Sequence, residues 1–172
     1  MQEMKKVRGE ARKAPRHGHR NDTLILTMFR HALSVSEAIT LRWEQVDFSQ
    51  GLLHIKRVKN GIPSIHPLQS DIIRALKRLK KRYLSTLHLF CTERQGPLSP
   101  RTVHYTIASA GKAAKLPFTI HPHMLRHSAG FYLASKGIDT RAIQAYMGHA
   151  SIQNTVRYTA LNAGRFSGFW KE

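Results

Sequence analysis

The chain has 172 residues, 41% of them hydrophobic, and a formal net charge of +18 from 28 Lys and Arg against 10 Asp and Glu. Such a chain can fill one hydrophobic core, and its single cysteine, Cys91, excludes a disulfide framework and a cysteine-based zinc site. The apolar runs are too short to span a bilayer, the N-terminus lacks a signal-peptide apolar segment, and the charge indicates an anionic partner, above all nucleic acid.

The first half of the chain predicts a basic segment, helices and a small sheet. Residues 1–20 lack apolar periodicity and are rich in Lys and Arg, so we expect a flexible N-terminal arm before a folded domain at 21–172. Apolar residues at i, i+3 and i+4 spacing predict a helix from Asp22. Short β-rich runs over 46–68, separated by SQG and KNG, predict two or three antiparallel strands, with Pro63 confining its strand to an edge.

Helix start signals recur along the rest of the chain. A capping side chain, or a proline at the first helical position, precedes each apolar-periodic segment. We therefore predict a mainly α fold with one small antiparallel β-sheet, an α+β class. The predicted helix starts are Ser36, Ser70, Ser99-Pro100, His121-Pro122, Asp139 and Ser151.

The stretch HPHMLRH at 121–127 concentrates groups that suit a phosphate. His123 and Arg126 lie three apart on a predicted helix and project from the same face. An arginine fork bonds two phosphate oxygens, and histidine transfers a proton near neutral pH. His149 follows at the end of the next helix, and Tyr158 comes nine residues later.

These motifs resemble a known family. HPHMLRHSAGFYLASKGIDTRAIQAYMGHASIQNTVRYT is similar to the catalytic box of the tyrosine recombinases, the phage integrase family, in its order His-x-x-Arg, Gly-His and Tyr. LSVSEAITLRWEQVDF resembles the family's first box, and IKRVKNGIPSIHPL resembles its β-hairpin. The resemblance covers about residues 22–160. The short length and the ending TALNAGRFSGFW further resemble the small recombinases that invert the type 1 fimbrial promoter, which have no separate core-binding domain.

The resemblance implies a role for each residue of the site. Tyr158 would attack a DNA phosphate, giving a 3'-phosphotyrosine and a free 5'-hydroxyl, with His123 managing the phenol proton. Arg126 would hold the non-bridging oxygens, His149 would donate a hydrogen bond to them, and Lys59 would protonate the leaving 5'-oxygen. A phenol with a pKa near ~10 needs such a base and such cations. No metal or other cofactor is implied, because the covalent link conserves the bond energy.

The first box departs from the family pattern at Ser34, where the first catalytic arginine belongs. Serine cannot form a charge-assisted fork, so we expect the chemical step to slow by roughly 10² to 10³-fold, while DNA binding largely survives. Arg30 and Arg42 are poor substitutes, because catalytic arginines need placement to about half an ångström. Glu37 matches the acidic residue of the box and is expected to orient neighbouring basic side chains. The chain is thus either an impaired recombinase or a degenerate DNA-binding regulator, and Ser34 is either natural or engineered.

Further expectations concern partners. The resemblance implies double-stranded DNA, a homotetramer on paired DNA sites, an accessory DNA-bending protein, and the nucleoid of the bacterial cytoplasm. The C-terminal aromatic residues would dock on a neighbour or close the chain's own core: Phe166, Phe169 and Trp170. The candidate DNA contacts are Lys56, Arg57, Arg101, His127 and Arg141.

Simpler interpretations stay open beside these. Tyr158 is alternatively a packed aromatic residue, His149 a helix terminator, and the basic charge a solvated surface or an RNA-binding one. Lys56 competes with Lys59 for the role of proton donor. A metal-dependent nuclease would use a zinc site built from His121, His123, His127 and His149.

Overall fold

The computed structural model describes residues 1–58, 60–83, 85–160 and 162–166. Within them a mainly helical fold carries a small antiparallel sheet, which confirms the predicted class. The helices are α1 (Gln2–Arg12), α2 (Gly18–Arg30), α3 (Val35–Thr40), α4 (Ser70–Arg82), α5 (Pro100–Ala113), α6 (Pro122–Ser135), α7 (Thr140–Met147) and α8 (Gln153–Thr159), and the strands are β1 (Val46–Asp47), β2 (Leu52–Ile55) and β3 (Ser64–Pro67). Short 3₁₀ turns occupy Trp43–Gln45 and Ala163–Phe166.

Helix α1 corrects the expectation of a flexible N-terminal arm. Val7 and Ala11 lie four residues apart, so they share one helix face, and both are buried where α1 packs on α2 and α5. Asp22, buried in α2, accepts hydrogen bonds from Arg8 at 2.7 Å and from Arg12. Two small apolar side chains and one buried carboxylate therefore hold a helix whose sequence is mostly polar and rich in Lys and Arg.

The sheet has the predicted antiparallel hairpins, with strand order β1-β2-β3 in the described residues. Leu53 pairs with His66 in the register of β2 and β3, and Leu53 and Ile55 both face the core, as the alternation of a half-buried strand requires. Pro63 directly precedes β3, which is an edge strand, so its missing N–H removes no ladder hydrogen bond.

Helix boundaries follow the predicted capping residues in part. Ser99 caps α5 through the Thr102 N–H, and Asp139 caps α7, as predicted. Other boundaries are set by packing, which capping chemistry alone does not reveal. The helices predicted from Asp22 and Ser151 begin at Gly18 and Gln153, the one predicted near Ser36 begins at Val35, and α4 begins at the predicted Ser70.

Two groups of buried side chains position the rest. The larger core joins α1 to α5 and the sheet, and a smaller cluster lies beneath α6, α7 and α8. Tyr158 belongs to the smaller cluster, together with Ala129, Ile143 and Met147. Among the residues that the structure describes, none of the helices has the length and apolar character needed to cross a membrane.

Candidate functional site

A cleft of about 340 Å³ opens where α3, α6 and the end of α7 meet the β2–β3 hairpin. Val58 and Gly61 line it from the hairpin, and Lys59 itself lies outside the described residues. Four of the predicted catalytic positions also line this cleft: Ser34, His123, Arg126 and His149. The fold therefore gathers side chains that are more than a hundred residues apart in sequence.

Arg126 projects from the first turns of α6 and is held on three sides. Its Nη1 donates to Oε2 of Glu37 at 3.2 Å and to the carbonyl of Ala32, and its Nη2 donates to the carbonyl of Met147 at 2.8 Å. The side chain is only 12% exposed. Because these acceptors fix the guanidinium, it is arranged in advance for an anion in the cleft.

Ser34 caps α3 with a reciprocal pair of hydrogen bonds. Its hydroxyl accepts the Glu37 N–H at 3.2 Å, and its own N–H donates to Oε2 of Glu37 at 2.8 Å. The same carboxylate also accepts from Arg126 and Arg57, so Glu37 orients basic side chains, as predicted.

Arg57 is not the surface DNA contact that the sequence suggests. Its side chain is 1% exposed and forms a 3.0 Å ion pair with Glu37, while Nη2 donates to the carbonyl of Tyr146. A Cβ at Gly148 would come within 2.5 Å of Arg57 Cγ, so this glycine provides the space for the arginine. Burial lowers the pKa of Arg57, and Glu37 opposes that shift.

His149 follows the left-handed Gly148 that ends α7. Its Nδ1 lies 2.8 Å from the Thr155 hydroxyl, so Nε2 is the ring nitrogen that can serve a bound group. Burial, followed by Arg126 and Arg57, lowers the His149 pKa to about 4. The imidazole is therefore neutral near pH 7, and in the tautomer that accepts the Thr155 hydroxyl at Nδ1 its Nε2 is a hydrogen-bond donor.

Tyr158 is packed behind this cleft rather than in it. Its side chain is 3% exposed, with the hydroxyl 2.8 Å from Nδ1 of His127 and the edge of Phe131 against the ring. His149, which does line the cleft, stacks with the phenol, with ring centroids 6.4 Å apart. Burial raises the pKa of Tyr158.

The two histidines of α6 have different surroundings from those that the sequence suggested. His123 lines the cleft, whereas His127 contacts the phenol, and the two rings meet edge to face at 4.2 Å. Burial lowers the pKa of both. The proton acceptor in contact with Tyr158 in this structure is therefore His127, which the sequence suggested as a DNA contact or, in the alternative, a zinc ligand.

The other expected positions lie apart from this cleft. Lys56, Arg101 and Arg141 are exposed, as a phosphate contact requires. Phe166 is exposed as well, while Phe169 and Trp170 fall outside the described residues. Within the described part of the chain, no group of three or more His, Cys, Asp or Glu side chains converges as metal ligands would.

This chain is similar to members of a known protein family. The phage integrase family matches residues 2–165. The type 1 fimbriae regulatory proteins FimE and FimB of Escherichia coli K12 are 40% and 43% identical over 160 and 159 residues, covering 90% of this chain and 81% and 80% of theirs. The crystal structure of XerA recombinase superimposes with a TM-score of 0.84 at 23% identity, covering all of this chain. This chain spans 64% of that structure's length.

Proposed function

Since this chain belongs to the phage integrase family, the tyrosine recombinases, we propose that it exchanges DNA strands at specific sites through a 3'-phosphotyrosine intermediate. The observation that carries the proposal is the single cleft lined by His123, Arg126 and His149, with Tyr158 directly behind His149. Its relatives FimE and FimB support DNA inversion as the outcome.

The cleft suits one backbone phosphate. The fixed guanidinium of Arg126 would bind the non-bridging oxygens, and the neutral His149 would donate from Nε2. Lys59 follows Val58, which lines the cleft, so its position in the chain supports a role as the acid that protonates the leaving 5'-oxygen.

The chemical step then balances without a cofactor. The Tyr158 oxygen forms a bond to phosphorus, the bond from phosphorus to the 5'-oxygen breaks, and Lys59 supplies the proton of the new 5'-hydroxyl. His127, which already contacts the hydroxyl, takes the phenol proton. Because Tyr158 does not line the cleft, the attack requires its phenol to move into it. Reversal by a different 5'-hydroxyl rejoins the strands.

We expect Ser34 to slow the chemical step of the proposed reaction. Its hydroxyl is engaged in the cap of α3, and it brings no charge to the cleft. Losing one preorganised donor of this kind costs roughly 10² to 10³-fold in rate.

The partners follow from the same reasoning. The net charge of +18 supports binding to double-stranded DNA, and exposed Lys56, Arg101 and Arg141 are the proposed phosphate contacts. The homotetramer, the accessory DNA-bending protein and the nucleoid location rest on family resemblance alone.

The second candidate function is a DNA-binding regulator that keeps the fold without the reaction. The buried Tyr158 and the uncharged Ser34 favour it. Both functions predict specific DNA binding, and they differ in whether a covalent intermediate forms.

Trapping that intermediate tests the proposal. Selection from random duplexes would define the bound sequence, and a nicked duplex carrying it would trap a covalent adduct. We expect a slow adduct with the unsubstituted chain, a faster one with Ser34→Arg, and none with Tyr158→Phe in either background. Specific binding with no adduct in any form would favour the regulator. Cleavage that EDTA abolishes and that leaves no covalent link would indicate the nuclease instead.

A further inference from the structure

Two guanidiniums share the same acceptors beneath the cleft. Nη1 of Arg57 and Nη1 of Arg126 both donate to Oε2 of Glu37, at 3.0 and 3.2 Å, and both donate to the carbonyl of Ala32. Ala32 adopts a positive φ of 50°, a conformation unusual for a residue with a side chain. The turn between α2 and α3 is thus shaped around this pair of arginines.

The Nη2 atoms of both arginines bind the C-terminal end of the same helix, α7. Nη2 of Arg57 donates to the carbonyl of Tyr146, and Nη2 of Arg126 donates to that of Met147, which are the last carbonyls of α7. Cations are favoured at a helix C-terminus. Both arginines therefore fix the turn that presents His149 to the cleft.

The charges beneath the cleft do not cancel. Glu37 contributes one negative charge, and Arg57 and Arg126 contribute one positive charge each, so the trio carries one net positive charge. With Arg126 alone the carboxylate would neutralise the guanidinium that faces the cleft. Ser34 adds nothing to this balance.

Packing alone does not account for Arg57. Burial of a guanidinium is unfavourable, and a well-packed apolar side chain fills such a space at least as well. Its Nε has no hydrogen-bond partner within the described residues. Folding thus gains little from a charge at this position, whereas an anion in the cleft gains from it directly.

We propose that Arg57 is a positioning residue that supplies, from beneath the cleft, the positive charge that position 34 lacks. This inference rests on the proposed function, since it assigns Arg57 to the same phosphate site. Arg57 does not touch the phosphate. It shares the Glu37 carboxylate, and Arg126 thereby keeps its charge for the bound anion.

The charge can be measured without any DNA cleavage. The His149 ring is followed by NMR in the full chain, during a pH titration and during titration with inorganic phosphate. Loss of a nearby cation raises a histidine pKa, so Arg57→Met should raise the pKa of His149 and weaken phosphate binding roughly tenfold. Arg57→Lys should keep the His149 pKa near its value in the unsubstituted chain.

Two further variants make the comparison decisive. Arg74→Met removes an exposed arginine from α4 and should change neither readout. If thermal melting shows that Arg57→Met does not fold, Arg57→Gln keeps polar donors at neutral charge and takes its place. An unchanged His149 pKa and unchanged phosphate affinity in a folded, neutral variant would overturn the inference.

A double-mutant cycle links the charge to the reaction. Arg57→Met should slow adduct formation more in the chain with Ser34 than in Ser34→Arg, where the introduced arginine supplies the charge itself. Equal losses in both backgrounds would mean that Arg57 is only structural. Absence of any adduct removes the proposed function, and the His149 titration still decides whether Arg57 charges the cleft.

Discussion

The hydroxyl of Tyr158, a buried residue, lies 2.8 Å from Nδ1 of His127. The contact holds the proposed nucleophile beside a base before DNA arrives. Because burial lowers the pKa of His127, this imidazole stays neutral, and able to accept a proton, below the ordinary histidine value of about 6.5.

The first prediction concerns the pH dependence of adduct formation. A base acts when it is unprotonated, and its lowered pKa moves the loss of rate to more acidic pH. We expect the rate to hold as the pH falls through about 6.5 and to decline only below it. His127→Phe should slow the reaction by roughly 10²-fold and abolish this acid limb. If His123→Phe abolishes the limb and His127→Phe keeps it, the proton passes to His123 instead.

The second prediction concerns Gly130, whose lack of a side chain leaves a notch for the ring of Tyr158. A Cβ there would lie 2.8 Å from two ring carbons of Tyr158, so Gly130→Ala must displace the phenol. Overpacking of this kind costs about 1–3 kcal/mol, measured as a lower free energy of unfolding in urea. The pKa of Tyr158, followed by ultraviolet absorbance, should fall towards its ordinary value as the ring becomes more exposed to solvent.

Gly9→Ala is the matched control for that change. Gly9 lies inside α1, and a Cβ added there would meet nothing within 4 Å. The substitution should stabilise the chain by up to about 1 kcal/mol, from helix propensity. Equal stability changes in both variants would show that the phenol does not occupy the notch.

The third prediction compares the two ends of the α3 capping box. Glu37→Gln would leave two arginines without their shared anion, and breaking such a buried pair costs about 3–5 kcal/mol. Ser34→Ala removes only a cap, which costs about 1 kcal/mol. Urea denaturation should rank them in that order, and a larger cost for Ser34→Ala would contradict the account of Glu37.

The fourth prediction concerns acid stability. His31 and His66 are buried with their Nδ1 atoms 3.2 Å apart, and burial lowers the pKa of each to about 3. The unfolded chain binds protons at these sites below about pH 6.5, while the folded chain does not. Stability is therefore fully present above that pH and is lost as the pH falls towards 3, by on the order of a few kcal/mol.

The variant His66→Gln should flatten that dependence in urea titrations at a series of pH values. His104→Gln, at an exposed position on α5, should leave it unchanged. If the free energy of unfolding of the unsubstituted chain does not change between neutral and mildly acidic pH, then His31 and His66 are not a neutral buried pair.

The sequence predicted those parts of the site that depend on local spacing. His123 and Arg126 share a face because they are three apart on one helix, and Gly148 marks the end of α7 because a left-handed residue is needed there. The cap at Asp139 and the antiparallel hairpins follow from equally local rules.

What the sequence did not reveal depends on contacts between distant residues. Arg57 looks like a hairpin surface residue, and only the fold places it beneath Gly148 and beside Glu37. The role of His127 depends on the rotation of α6 against α8. A weak signal existed for Arg57, because a glycine at 148 leaves room that any side chain there would fill.

The shared carboxylate also sets which positions tolerate change. Position 34 contributes a cap worth about 1 kcal/mol, so a change of residue there leaves the fold intact. Position 37 has less latitude, because any uncharged side chain there leaves Arg57 and Arg126 without their shared anion. A saturation library selected for folding alone should therefore accept many residues at 34 and retain glutamate at 37.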